Sequence, residues 1–236
     1  MNHKQFDKHL VSLIAPASFA AEQYQALRLK IERIRQSRDL RVIAITSPGA
    51  ADGKTVTSIN LAAALGRGSN ARVLIIDADL RRPALAQQLH VDAAAAGVAE
   101  LVANPDLTIA DAVRPVDTFN LDVITAGQPT GPVHELFRSP RLERLLQGAR
   151  EQYDFIVIDT PPLLPVFDAS MVAKLVDGLL LVVAANQTPR KLLGEALTHL
   201  DPSKVLGLVY NRDTQPLFGY YNSSYYGYFD ASAGAA

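Results

Sequence analysis

The chain has 236 residues, 48% of them apolar and 20% charged, and its 23 basic and 24 acidic side chains leave a formal charge of −1. That length suits one α/β domain with a core of its own; the composition excludes disorder throughout and, with so little net charge, argues against nucleic acid as a partner. With no cysteine, disulfide scaffolds, thiolate metal sites and thiol nucleophiles are excluded, and an intracellular location is expected.

Met1 to Leu10 carries charges where a signal peptide needs an apolar core. The longest apolar stretch, Leu179 to Ala185, is far short of the ~20 residues of a membrane span, so no span is expected. From Ala21 to Arg41, Arg28, Lys30, Arg33, Arg35, Arg38 and Arg41 outnumber Glu22, Glu32 and Asp39. Ala26, Leu27, Ile31 and Ile34 recur at helical spacing there, which predicts an amphipathic basic helix over about 21–38.

Apolar, β-branched runs follow at Val42–Thr46, Val73–Asp77, Leu121–Thr125, Phe155–Asp159, Leu179–Ala184 and Val205–Tyr210, most of them separated by helical patterns. Strands apolar on both faces and alternating with helices predict an α/β fold, a mostly parallel sheet with helices on both faces. One domain is expected over 1–213. From Thr214 to Ala236 periodicity is lost and Asp230 is the single charged side chain, and five of the eight tyrosines crowd into this stretch: Tyr220, Tyr221, Tyr225, Tyr226 and Tyr228. A flexible tail is expected over 214–236.

The first strand runs into Ser47-Pro48-Gly49-Ala50-Ala51-Asp52-Gly53-Lys54-Thr55, and a helix is predicted over Val56–Leu65. Strand, small-residue loop, Lys-Thr and helix form a phosphate loop. Backbone N–H groups wrap the phosphates, the helix N-terminus faces them, Lys54 reaches the β and γ positions, and the Thr55 hydroxyl suits Mg²⁺. Pro48 stands where such loops usually begin with glycine, with Gly49 one place later.

Two further strands end in acid: Asp77-Ala78-Asp79-Leu80-Arg81-Arg82 and Asp159-Thr160-Pro161-Pro162. In a parallel sheet the carboxyl ends of all strands share one edge, where ligands sit. Lys54, Thr55, Asp77, Asp79 and Asp159 are therefore expected around one nucleoside triphosphate with Mg²⁺. Asp168 is read as the cap of the next helix, and His134-Glu135 as a helix start in preference to a metal or acid–base pair.

With these motifs together, the sequence closely resembles the bacterial protein-tyrosine kinases of capsule and exopolysaccharide synthesis over about Ala20 to Tyr228. Those are phosphate-loop kinases unlike the eukaryotic ones. The resemblance rests on Ser47–Thr55, Asp77-x-Asp79-x-Arg81, Asp159-Thr-Pro-Pro with Asp168-Ala169, and the tyrosine cluster. It implies an ATP- and Mg²⁺-dependent autokinase that phosphorylates Tyr220, Tyr221, Tyr225, Tyr226 and Tyr228 between subunits of a ring. Its cofactor-binding positions are Gly49, Ala50, Ala51, Asp52, Gly53, Lys54, Thr55 and Val56, with Asn211 and Arg212 toward adenine, and it leaves a minor active-site role open for Asp168.

The family's Glu-x-x-Arg-x-x-Arg ring element falls on Glu22, Gln25 and Arg28; Gln25 departs from it, which leaves the oligomer's size open. A separate transmembrane activator or polysaccharide co-polymerase, a phosphotyrosine phosphatase and a place at the inner face of the membrane are implied as well.

A tyrosine hydroxyl, with a reference pKa of about 10, needs a carboxylate to take its proton. Asp77 is the expected base; the resemblance implies the same, with Asp79 and Asp159 at the metal beside Thr55, and Arg81 and Arg82 are expected near the phosphate or the incoming tyrosine. Residue types alone leave base and metal ligand interchangeable among the three carboxylates, and a plain salt bridge is an equal reading of each arginine. The alternatives are a positioning ATPase of the partition and division-site class and a regulatory subunit that only binds nucleotide. The first of these needs a second loop lysine where this chain has Gly49, and it leaves the tyrosines unexplained.

Overall fold

The computed structural model describes residues 6–68, 71–93, 95–116, 120–164 and 167–213. The elements in chain order are α1 (Val11–Ile14), α2 (Phe19–Ser37), β1 (Val42–Thr46), α3 (Lys54–Gly68), β2 (Val73–Asp77), α4 (Leu85–Leu89), α5 (Val98–Ala103) and α6 (Ile109–Ala112). They continue with β3 (Arg114–Val116), β4 (Leu121–Ile124), α7 (Val133–Arg138), α8 (Pro140–Gln152), β5 (Phe155–Asp159), α9 (Asp168–Leu175), β6 (Gly178–Ala184), α10 (Arg190–Thr198) and β7 (Val205–Asn211).

The seven strands lie in the order β3-β4-β2-β5-β1-β6-β7, and every pairing is parallel except that of β3 with β4. All residues of β1, β2, β5 and β6 are buried, as strands covered on both faces must be. Side chains alternate between the faces. Val42, Ala44, Leu74, Ile76, Ile156 and Ile158 pack with Leu142 and Leu146 of α8 and Val172 of α9. Ile43, Ile45, Val73, Ile75 and Val157 pack on the other face with Ile59, Leu61 and Leu65 of α3, and with Ile31 of α2 and Leu10.

The six expected strands and the mostly parallel α/β architecture are present. The basic helix is α2, whose N-cap Ser18 accepts a hydrogen bond from the N–H of Ala21. The helix after the phosphate loop begins two residues earlier and ends three later than Val56–Leu65. The sequence pattern did not reveal β3. It is three residues long with Pro115 in its middle, and an edge strand tolerates proline because its N–H is not needed in the ladder. The tail and its five tyrosines lie outside the described residues.

Candidate active site

β1 delivers the phosphate loop to the centre of the sheet, between β5 and β6. The loop turns through two left-handed residues, Ala51 with φ 65° and Gly53 with φ 94°. A Cβ on Gly53 would overlap the side-chain amide of Asn211, so only glycine fits there. Lys54 opens α3 and is 8% exposed. The loop 160–164 runs alongside: Leu163 N–H donates to the Ser47 carbonyl at 2.9 Å, and Thr160 Oγ1 donates to the Ile45 carbonyl at 2.9 Å.

The expected cluster forms. Asp77 and Asp159 are register partners at the ends of β2 and β5, and both are buried. Thr55 Oγ1 donates to Asp159 Oδ2 at 2.7 Å, and Ser58 Oγ donates to Asp159 Oδ1 at 2.9 Å. Ser58 escaped the sequence reading; its signal was its place one helical turn after Thr55, on the face of α3 that meets the strand ends.

Asp77 is held by backbone. Its Oδ1 accepts the N–H of Asp79, and its Oδ2 accepts those of Ala84 and Leu85, at 3.0–3.1 Å. Asp79 is more open and accepts the N–H of Arg82 at 3.1 Å.

Burial pushes the Asp159 carboxyl up to about 7, and the neighbouring Asp77 charge adds to that. Burial also pushes Asp77 up to about 6, against the pull of its backbone hydrogen bonds. Asp79 is raised by burial as well, with the Arg82 N–H and the Lys54 charge in opposition. Two adjacent buried carboxyls that resist ionisation fit a place built for cations. Among the described residues no three His, Asp or Glu side chains are arranged to hold a metal ion by themselves.

Arg81 is paired. Its Nε lies 2.6 Å from Asp168 Oδ2, and the Asp168 side chain is 3% exposed. The expectation that Asp168 caps a helix is thereby corrected. Phe167 occupies the N-cap position of α9 and Asp168 is the first helical residue, its carboxylate turned to the arginine 87 positions earlier.

Asn211 ends β7 and its Nδ2 donates to the Asp52 carbonyl at 2.9 Å, while Arg212, at φ 58°, meets Gln187 Oε1 at 3.4 Å. On α2, Gln25 Oε1 accepts from Arg28 Nε at 2.9 Å, and Arg28 also pairs with Glu32 at 3.0 Å. Glu22 and Gln25 line an open groove with Pro16, Ala17, Ala26, Leu29 and Arg67.

A family model described as an AAA domain matches residues 40–198. The chain is 30% identical over 225 residues to tyrosine-protein kinase YwqD of Bacillus subtilis (strain 168), covering 93% of each protein. It is 34% identical over 214 residues to the succinoglycan biosynthesis transport protein ExoP of Rhizobium meliloti (strain 1021), covering 88% of this chain but 27% of that protein. The solved kinase domain of the Escherichia coli tyrosine kinase ETK superposes with a TM-score of 0.80 at 29% identity, covering 90% of this chain and 84% of that one. With the phosphate loop and its carboxylates in this arrangement, and the YwqD kinase matched along 93% of its length, the chain belongs to the family of bacterial tyrosine-protein kinases, on an AAA-type phosphate-loop domain.

Proposed function

We propose that this chain is an ATP-dependent tyrosine autokinase that transfers the γ-phosphoryl group to its own C-terminal tyrosines, Tyr220, Tyr221, Tyr225, Tyr226 and Tyr228, in the service of capsular or exopolysaccharide synthesis and export. One observation carries the reading. The last strand ends at Asn211 in direct hydrogen bond to the phosphate loop, so the chain passes residue 213 beside the nucleotide edge. The nine residues from Asn211 to Tyr220 reach at most ~30 Å when extended, enough for the tyrosines to reach this site or a neighbouring copy's.

Phosphoryl transfer asks the protein for positioning and for neutralisation of charge spread over the transferred group. Lys54, the N-terminus of α3 and the backbone N–H groups of residues 50–56 supply positive potential toward the β and γ phosphates. Hard oxygen donors suit Mg²⁺, and Thr55, Asp79 and Asp159 would hold it together with phosphate oxygens. Mg²⁺, when bound, supplies further charge neutralisation. Arg81, fixed by Asp168, adds a positive charge beside Asp79. Asp77 accepts the tyrosine proton; its raised pKa makes it a better base than an ordinary aspartate, and its backbone hydrogen bonds fix its orientation. Asn211 and Arg212 meet the adenine.

Glu22, Gln25 and Arg28 share one face of α2 and serve contact with further copies of the chain, where Gln25 holds the Arg28 guanidinium. No helix among the described residues is long and apolar enough to cross a membrane. Relatives occur both at this length and as part of a longer transport protein, which supports recruitment to the inner face of the membrane by a separate transmembrane co-polymerase. A phosphotyrosine phosphatase resets the tail. Incubation with Mg-ATP followed by mass spectrometry of the C-terminal peptide tests the assignment: phosphotyrosine is expected, and it is absent in Lys54→Met. ATP hydrolysis with an unmodified tail would sink it in favour of a positioning ATPase.

A further inference from the structure

Asp52 is an unusual residue to find in a phosphate loop. Its carboxylate stands two positions before the lysine that must meet anionic phosphates, yet it is 6% exposed. Its Oδ2 accepts the N–H of Gly49 at 3.2 Å, and its Oδ1 accepts the Thr188 hydroxyl at 2.7 Å. Thr188 Oγ1 in turn accepts the N–H of Ala184, the last residue of β6, at 3.0 Å. The Asp52 carbonyl accepts the Asn211 amide at the end of β7. Three donors, from the loop itself, from the β6–α10 connection and from β7, thus converge on the one residue between left-handed Ala51 and Gly53.

We propose that Asp52 is a positioning residue that clamps the phosphate loop to the β6–α10 connection through Thr188, so that ATP meets a loop already in its binding conformation. This rests on the nucleotide-binding reading above and adds its preorganisation. The left-handed turn at Ala51 is disfavoured for any residue with a Cβ, so a loop of this sequence needs an outside hold. The same hold keeps a negative charge turned away from the phosphates. Release of Thr188 would loosen the loop and free a carboxylate beside an anionic ligand, both of which weaken binding. Loop amides hold ground state and transition state alike, so the loss falls on affinity rather than on turnover of bound ATP.

The test is equilibrium binding of a non-hydrolysable ATP analogue with Mg²⁺ to the full chain by calorimetry, with autophosphorylation rates in Mg-ATP alongside, for Thr188→Val, Thr188→Ser, Asp52→Ala and the Asp52→Ala/Thr188→Val double variant. A broken hydrogen bond to a buried charged group is expected to weaken Kd and KM about tenfold or more in Thr188→Val, with kcat within about twofold. Thr188→Ser restores the wild-type value, and the double variant binds no worse than Asp52→Ala alone. The clamp is overturned if Thr188→Val binds ATP like the wild type, if serine fails to rescue, or if the loss is confined to kcat. Because Kd is read without turnover, a chain that binds ATP with these shifts but never labels its tyrosines keeps the clamp and loses the kinase assignment.

Discussion

Asp77 and Asp159 stand side by side at the carboxyl ends of β2 and β5, joined by the hydrogen bond from the Ala78 N–H to the Asp159 carbonyl at 2.8 Å. Burial holds the protons of both carboxyls to higher pH than aspartates in water, and the Asp77 charge adds to this at Asp159 against the pull of Lys54.

That fixes the sign of the pH dependence. Their folded pKa values, about 6 and about 7, lie above the unfolded value of 3.8, so the folded chain binds more protons across this window. Stability without nucleotide is therefore expected to fall as pH rises from about 4 through about 7, by on the order of 1–3 kcal/mol. Urea melts in metal-free buffer at pH 5.5 and 8.0 read it directly. Asp159→Asn should flatten the difference, and equal stability of the wild type at both pH values would contradict the assignment.

The base is separable from the metal ligands by kinetics. Asp77→Asn is expected to lower kcat roughly 10²–10⁴-fold and remove the acidic limb of the pH–rate profile near pH 6, while Asp79→Asn chiefly raises the Mg²⁺ requirement. Survival of the acidic limb in Asp77→Asn, with its loss in Asp79→Asn, would transfer the proton to Asp79.

The pair of Arg81 and Asp168 should matter more to rate than to stability. The Arg81 side chain is 47% exposed, so water screens the ion pair, and Asp168→Ala is expected to cost no more than about 1 kcal/mol. Phosphotransfer should drop about tenfold or more, because the released guanidinium no longer stands beside Asp79. A thermal melt and a rate on the same preparation check both halves; a large melt shift with unchanged rate would make the pair structural.

Ala51 and Gly53 predict opposite outcomes for opposite exchanges. Ala51→Gly relieves a left-handed Cβ and is expected to stabilise the chain by about 0.5–1 kcal/mol in urea titrations. Gly53→Ala forces a Cβ onto the Asn211 amide and should cost about 1–3 kcal/mol and abolish ATP binding. Normal ATP affinity in Gly53→Ala would refute this loop geometry.

Phosphorylation should weaken self-association. Each phosphotyrosine adds about −1.5 to −2 charges, so five make roughly −7.5 to −10 on a tail whose other side-chain charge is Asp230. Replacement of all five tyrosines by glutamate is expected to shift the chain to smaller species on a sizing column; an unchanged elution volume would end the idea.

Apolar runs and strand-end acids were enough to read the sheet, its parallel character and the meeting of Lys54, Thr55, Asp77, Asp79 and Asp159 at one edge. Those follow from local rules: both-face apolar strands must be covered on both sides, and parallel strands bring their carboxyl ends to one edge. The same rules say nothing about which side chain meets which across long separations. The pairing of Arg81 with Asp168 in place of a helix cap, the second hydroxyl on Asp159 from Ser58, and the hold of Thr188 and Asn211 on Asp52 join residues 87, 101, 136 and 159 positions apart. The tertiary structure decided these, because strand register and helix docking set such distances to within an ångström and a hydrogen bond tolerates no more. β3 belongs with them: a three-residue edge strand has too short a pattern to read, and its partner β4 defines it.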